Sequence, residues 1–349
     1  VGAKGLLVVT SGFAETGPEG AALQKELLAL VRGHGARLVG PNCLGLMNTL
    51  PDVQLNASLA PTLPPQGRIG FYSHSAALGL VIVNYAVERG LAFSSFVSAG
   101  NRADVSGNDL LQYWEEDPNT DIALLYLETF GNPRRFARIA RRVAHRKPVL
   151  CVKSARSRAG RDAARAHIAA AALGETEVDM LFRQAGLIRA NTLEEMFDVA
   201  DLLSSQPLPA GNRVAIISNS GGVVTICADA CEANGLDVIA AGGMDLGPMA
   251  TPKSYEAAIR AALERPDVDA LIAIFACVGE CDPQLIGSAI RQGAAAAEKE
   301  VGTAKPVLLC FMGARRAVRL APAEESYRSA KRTFPSYRFP ESAALALAR

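Results

Sequence analysis

Short, nearly continuous apolar runs alternate along the chain with longer stretches of helical period. The runs at residues 5–10, 37–39, 68–72, 122–127, 149–153, 214–218, 270–275 and 307–311 have the length and composition of buried strands. Between them, residues 20–34, 133–145 and 254–264 carry alanine or leucine at helical spacing, with polar residues on the remaining positions. Strands alternating with helices predict an α/β architecture with mostly parallel sheets, which bind ligands at the carboxyl ends of their strands. Proline-containing breaks at 59–66 and 204–212 interrupt the pattern. The chain is therefore expected to divide into a first segment over 1–50, a domain over 66–205 and a last domain over 210–349.

The two larger segments repeat one plan. Arg68-Ile-Gly-Phe-Tyr-Ser73-His-Ser75-Ala-Ala77 matches Arg213-Val-Ala-Ile-Ile-Ser218-Asn-Ser220-Gly-Gly222 at an offset of 145 residues. Farther on, Asp117-Pro-Asn-Thr-Asp121 and its strand match Arg265-Pro-Asp-Val-Asp269 and its strand at an offset of 148. Lys147-Pro-Val-Leu then matches Lys305-Pro-Val-Leu at 158. The order is conserved between the copies and the offsets grow as small loop insertions would make them. Two successive flavodoxin-like domains are the expected result.

Composition narrows the functional classes. Lys and Arg number 36 against 35 Asp and Glu, so no basic footprint for nucleic acid or a membrane surface is present. No apolar run reaches the roughly 18 residues of a transmembrane helix, and the start lacks the pattern of a signal peptide. The 7 cysteines include two pairs at CxxxC spacing, Cys227 with Cys231 and Cys277 with Cys281. No histidine lies near them in sequence, so ordinary buried thiols in a reducing cytoplasm are expected and no metal site.

The duplicated turn is the first place for chemistry. Ser73-His74-Ser75-Ala76 and Asn219-Ser220-Gly221-Gly222 each follow a strand and begin a helix. Small residues there let backbone N–H groups approach an anion, and the helix end adds a positive dipole. The alternative at Ser75 and Ser220 is an ordinary N-cap. Of the histidines at 34, 74, 145 and 167, His167 stands apart, because it closes the run 154–167 of small residues and arginines directly after a strand. Such a run suits a swinging loop near phosphate, or a plain basic helix start. Glu128 ends the strand 122–127, where a carboxylate can hold one imidazole nitrogen and leave the other free as nucleophile. The second copy has Ala276 at that place and no counterpart of His167, so one copy is equipped for chemistry and the other serves as scaffold.

With these residues assembled, the chain resembles the NDP-forming acyl-CoA synthetases, the ADP-forming acetyl-CoA synthetase branch of the succinyl-CoA synthetase superfamily. The matching segments include Ser11-Gly-Phe-Ala-Glu15, Gly40-Pro-Asn-Cys-Leu-Gly45, Ser98-Ala-Gly-Asn101, Tyr126-Leu-Glu128, Lys153-Ser154, Phe182-Arg-Gln-Ala-Gly186 and Phe311-Met-Gly313, in family order. The resemblance implies that acid, CoA and ATP give acyl-CoA, ADP and phosphate through an acyl phosphate and a phosphohistidine. It places the phosphohistidine on His167 and its supporting glutamate on Glu128. The two gripping helix ends fall on Ser73 to Ala77 and on Asn219 to Gly222, and the rim of the CoA site falls on Ser11, Gly12 and Asn42. It further implies a CoA-binding Rossmann domain of which residues 1–50 are the C-terminal remnant. ATP or ADP with Mg would enter only through an ATP-grasp domain or subunit, and the assembly would be an oligomer.

Several positions depart from the family pattern. His74 and Ala76 stand where the first helix end usually has Gln and Gly, and Ala166-His167-Ile168-Ala169-Ala170 replaces Ser-His-Thr-Gly-Ala. A Cβ at position 76 narrows the approach for phosphate and would be strained if the turn uses glycine dihedrals. Gly242-Gly-Met-Asp245 stands for Asn-Pro-x-Asp, and Val223-Val224 follows Gly221-Gly222 where the family has Pro-Gly. The alternative to an active ligase is therefore a degenerate acyl-CoA-sensing module of a lysine acetyltransferase fused to a GNAT domain.

Overall fold

A computed structural model of the 349-residue chain describes residues 2–165, 174–239, 244–277, 282–313 and 333–349. The chain divides into two compact units, Val1–Met196 and Phe197–Arg349. Among the described residues no helix is long and apolar enough to cross a membrane.

In the first unit, β1 (Gly5–Leu7) and β2 (Arg37–Val39) form a parallel pair covered by α1 (Pro18–Gly33). A second sheet has seven strands: β3 (Gly45–Asn48), β4 (Leu55–Ser58), β5 (Gln66–Ser73), β6 (Phe93–Ser98), β7 (Ile122–Leu127), β8 (Val149–Lys153) and β9 (Ile188–Ala190). Its order is β4-β3-β6-β5-β7-β8-β9, with β3 antiparallel to both β4 and β6 and the rest parallel. Counted from β5, the five parallel strands run 2-1-3-4-5, the flavodoxin-like order. Residues 45–58, within which the sequence reading ends its first segment at residue 50, extend this sheet at its edge. Gly45 enables that pairing: its φ is 114°, and a Cβ there would lie 2.1 Å from the Ala57 carbonyl oxygen.

Helices α2 (Ala76–Glu88), α3 (Gly107–Glu116), α4 (Pro133–Ala144), α5 (Arg158–Arg165) and α6 (Glu175–Ala185) connect these strands. After β9 comes α7 (Leu193–Ser205). The second unit has one parallel sheet of β10 (Arg213–Ser218), β11 (Asp237–Val238), β12 (Ala270–Ala276), β13 (Val307–Met312) and β14 (Ser336–Tyr337). Its order, β11-β10-β12-β13-β14, is again 2-1-3-4-5. Its helices are α8 (Gly221–Ala233), α9 (Pro252–Glu264), α10 (Pro283–Val301) and α11 (Pro340–Ala348). The α/β class and its parallel-rich sheets are thus as the apolar pattern predicts.

The repeat extends to individual hydrogen bonds. Arg68 holds Asp121 through two guanidinium nitrogens and donates to the Pro118 carbonyl at 2.7 Å. Arg213 holds Asp269 at 2.8 Å through two nitrogens and donates to the Pro266 carbonyl at 3.2 Å. Lys147 caps the end of α3 by donating to the Trp114 and Asp117 carbonyls at 2.5 and 2.7 Å. Lys305 does the same for α9 at the Leu263 and Arg265 carbonyls, at 2.7 and 2.5 Å. These four side chains fasten the starts of two strands to the helix end, or the turn after it, that leads into the strand between them, so the same polar pins recur in each unit.

Six of the described strands are not visible in the apolar pattern. The longest of these, β6, carries Ser94, Ser95 and Ser98, all buried. Each is satisfied from outside the strand: Ser94 by Thr120 at 2.7 Å, Ser95 by the Trp114 indole N–H at 2.9 Å, and Ser98 by the Leu44 N–H at 3.1 Å. Buried hydroxyls with partners cost little, but they erase the hydrophobic signature of a strand.

Candidate active site at the strand ends

In a 2-1-3-4-5 sheet the strand order reverses between strands 1 and 3, and a crevice opens beyond their carboxyl ends. In the first unit those strands are β5, which ends at Ser73 and leads into His74 to Ala76, and β7, which leads into Glu128 to Phe130. The Ser73 hydroxyl donates to the Ser75 carbonyl at 2.7 Å. Ser75 is the N-cap of α2, its oxygen accepting the Leu78 N–H at 3.4 Å. Gly79 brings α2 close to the sheet, since a Cβ there would lie 2.9 Å from the Phe96 ring and 3.1 Å from Ser73 Cβ. Ala76 begins α2 and is not among the non-glycine residues of positive φ. The alanine that departs from the family pattern therefore carries no glycine-only dihedral, contrary to the strain its methyl would cause in a left-handed turn.

His74 closes this turn and is only 8% exposed. Its N–H donates to the Tyr126 carbonyl at 3.2 Å, and its ring Nδ1 accepts the Glu128 N–H at 3.0 Å, with the Thr129 N–H at 3.5 Å. Nε2 lies 3.3 Å from Arg102 Nη1. Burial, followed by the positive charges of Arg102 and Lys153, holds the imidazole pKa well below its ordinary value, so the ring is neutral. Lys153 ends β8 at 4% exposure, donates to the Ser154 carbonyl, and sets its ammonium 5.8 Å from the centre of the Phe130 ring. Burial lowers its pKa, opposed by Cys151 and Glu128. Neither Arg102 nor Lys153 is singled out as a site residue by sequence reasoning. Lys153 is a lone cation in an apolar run, whereas Arg102 gives no signal before folding places it, at φ 57°, beside His74.

The corresponding turn of the second unit is built alike. The Asn219 side chain accepts the Ala276 N–H at 2.8 Å and donates to the Ala276 carbonyl at 2.9 Å. The Ser218 hydroxyl accepts the Ser220 N–H at 3.2 Å, and Ser220 precedes α8 without a side-chain cap. At Gly221 a Cβ would lie 2.9 Å from Asp245 Oδ2, whereas Gly222 faces open space. A carboxylate of the chain itself thus stands beside the start of α8.

Ser11, Gly12 and Asn42 belong to one polar network in the first unit. The Gly12 and Phe13 N–H groups donate to Glu15 at 2.6 and 3.1 Å, and Asn101 donates to the other Glu15 oxygen. Asn42 donates to Asn101 at 3.3 Å, and its N–H reaches the Thr10 carbonyl at 2.9 Å, next to exposed Ser11. Burial raises the Glu15 pKa, but the Asn101 and backbone hydrogen bonds outweigh it and leave the carboxyl below its ordinary value. Gly100 permits this convergence, because a Cβ there would lie 2.1 Å from the Asn42 carbonyl oxygen.

His167 lies outside the described residues, whose α5 ends at Arg165. Cys227 and Cys231 are buried free thiols on α8, whereas Cys277 is disulfide-bonded and departs from the expected free thiol, and no group of three metal-ligating side chains occurs among the described residues.

A doubly wound unit with a carboxylate and a buried histidine at its switch point, followed by a second such unit with Ala276 and Asn219 in their places, is the plan of a succinyl-CoA ligase-type protein. Residues 66–203 match the family described as succinyl-CoA ligase like flavodoxin domain. The alpha subunit of the ADP-forming acetate–CoA ligase II of Pyrococcus furiosus is 35% identical over 99% of this chain and 77% of its own length. The alpha subunit of ligase I from the same organism is 34% identical over 89% of this chain and 70% of its own. The acetyl-coenzyme A synthetase 1 of Ca. Korarchaeum cryptofilum, solved with phosphate and ADP, superposes with a TM-score of 0.87 at 32% identity, over 99% of this chain and 76% of that one. The chain belongs to the family of ADP-forming acetate–CoA ligase alpha subunits, within the NDP-forming acyl-CoA synthetases.

Proposed function

We propose that this chain is the alpha part of an ADP-forming acyl-CoA synthetase, interconverting acid, CoA and ATP with acyl-CoA, ADP and phosphate. In the ATP-forming direction, phosphate attacks the acyl-CoA carbonyl, the C–S bond breaks, and acyl phosphate and free CoA result. A ring nitrogen of His167 then takes the phosphoryl group as its bond to the acid oxygen breaks, releasing the carboxylate. ADP takes the phosphoryl group from His167 to give ATP, within an ATP-grasp partner that also supplies Mg. Glu128 orients the His167 ring, the helix ends at Ser73, Ser75 and Ala76 and at Asn219, Ser220, Gly221 and Gly222 receive phosphoryl oxygens, and Ser11, Gly12 and Asn42 line the CoA side. The supporting observation is the placement of Glu128 at the switch point of β5 and β7, with its backbone pinned to the helix-start turn by His74.

The test is phosphorylation of the chain, combined with an ATP-grasp subunit from a relative, by γ-labelled ATP. Acid-labile label is expected on His167, absent in His167→Ala and lowered about 100-fold in rate in Glu128→Ala. No label on the parent, with His167→Ala indistinguishable from it, would overturn the reading and leave the acyl-CoA-sensing module in its place.

A further inference from the structure

The His74 ring carries an unresolved donor. A neutral imidazole has one N–H. Nδ1 faces the Glu128 N–H at 3.0 Å and the Thr129 N–H at 3.5 Å, and a backbone N–H can only donate. Nδ1 therefore holds the lone pair and the ring proton sits on Nε2. That N–H points to within 3.3 Å of the Arg102 guanidinium, which also has donors only. Two donors at this separation lack the acceptor that would join them.

The surroundings have the same character. Arg102 is half-buried and makes no ion pair among the described residues. Its φ of 57°, in the left-handed region, holds it beside His74. The Tyr72 ring meets His74 edge-on at 5.2 Å, and among the described residues the buried Thr129 hydroxyl has no hydrogen-bond partner. The positive charge of Lys153 also acts on His74. In the second unit the matching Asn219 directs both its carbonyl and its amide to Ala276, so that turn repeats the backbone clamp without the outward donor.

We propose that His74 Nε2–H and the Arg102 guanidinium form a two-donor subsite for an oxyanion, either a phosphoryl group or the carboxylate of the acid. The pair is a charge-assisted fork that joins a helix-start turn to the loop after β6. Its part in the ligase reaction rests on the function proposed above, whereas anion binding itself does not.

The experiment uses the 349-residue chain with ¹⁵N-labelled histidine. In the free protein His74 is expected as the Nε2–H tautomer. Inorganic phosphate and acetate are titrated separately while the His74 Nε2 resonance is followed. A saturable shift with either anion supports the subsite, and the tighter of the two identifies the group it holds. Arg102→Asn, which tolerates the left-handed backbone, is expected to weaken binding about 10-fold or more, with Arg102→Lys restoring part of it. His74→Asn restores the clamp seen at Asn219 but lacks the Nε2 donor, and anion affinity, read by calorimetry, is expected to fall similarly. Arg260→Ala, whose residue pairs with Glu264 on the surface of α9, should bind as the parent does. A Nδ1–H tautomer, an Nε2 resonance that neither anion moves, or folded Arg102→Asn and His74→Asn variants with parental affinity would overturn the proposal. Label on His167 without anion binding at His74 would discard this subsite alone. Anion binding without label would discard the ligase reading alone.

Discussion

Asp104 holds together pieces of backbone that are distant in sequence. Its carboxylate accepts Arg32 at 2.6 Å, Arg37 at 2.8 Å and the Leu38 N–H at 2.9 Å, tying the loop after β6 to α1 and β2. Burial alone would raise its pKa, but these donors outweigh burial and bring it to about 2. A folded value below the unfolded one means that the stabilisation is fully present above about pH 4 and is lost as pH falls through 2. Both arginines are more than half exposed, which screens the pair, so Asp104→Asn is expected to cost about 1–2 kcal/mol at pH 7. Urea unfolding of parent and variant should show that gap narrowing steadily between pH 4 and pH 2. The partners of Asp104 are not legible in the sequence, because they lie 66 to 72 residues away. The same holds for His74 and Arg102. Sequence reading marks His74 as a departure from Gln, while only folding brings the guanidinium to its ring.

The repeated elements differ by compensating changes of size. In the first unit Gly70 on β5 faces Trp114 on α3, where a Cβ would lie 2.4 Å from the indole. At the corresponding positions of the second unit, Ala215 and Ala262, both buried, divide the volume differently. Likewise Gly107 makes room for the Tyr72 ring, 2.9 Å from where its Cβ would stand, while the second unit has Ile217 and Tyr255 at the matching positions. Gly70→Ala is therefore expected to overpack the first unit by about 1–3 kcal/mol, read as a lower urea midpoint for that unit. An unchanged midpoint would mean that Trp114 shifts freely. Strands β7 and β8 match their apolar runs residue for residue, because a strand buried on both faces is a hydrophobic run wherever it lies. Strands β9, β11 and β14 span only two or three residues. What makes them strands is the neighbouring edge that accepts their hydrogen bonds, which no local pattern contains.

For the whole molecule, each unit has its own sheet and hydrophobic core. The core of the second contains Tyr255, Ile259, Leu271, Ile290 and Leu309, all fully buried. The Gln206 amide bridges the Val307 N–H and the Thr333 carbonyl, and the Tyr337 hydroxyl donates to the Asp198 carbonyl at 3.1 Å, docking α7 on this sheet. A fragment of residues 191–349 keeps α7 whole with Thr192, whose hydroxyl accepts the Glu195 N–H at 3.0 Å. That fragment is expected to melt cooperatively by far-UV circular dichroism, and a broad, non-cooperative melt would contradict the independence of the unit. The duplication, the fold class and the position of Glu128 at a strand end are properties of the sequence alone, since periodicity and repeated motifs are local and survive without coordinates. Tertiary structure decided where residues 45–58 pair, that Ala76 needs no special backbone, and that His74 Nε2 lies beside Arg102. Those outcomes depend on contacts between segments far apart in the chain, and on the direction of individual lone pairs and protons, which order along the chain does not encode.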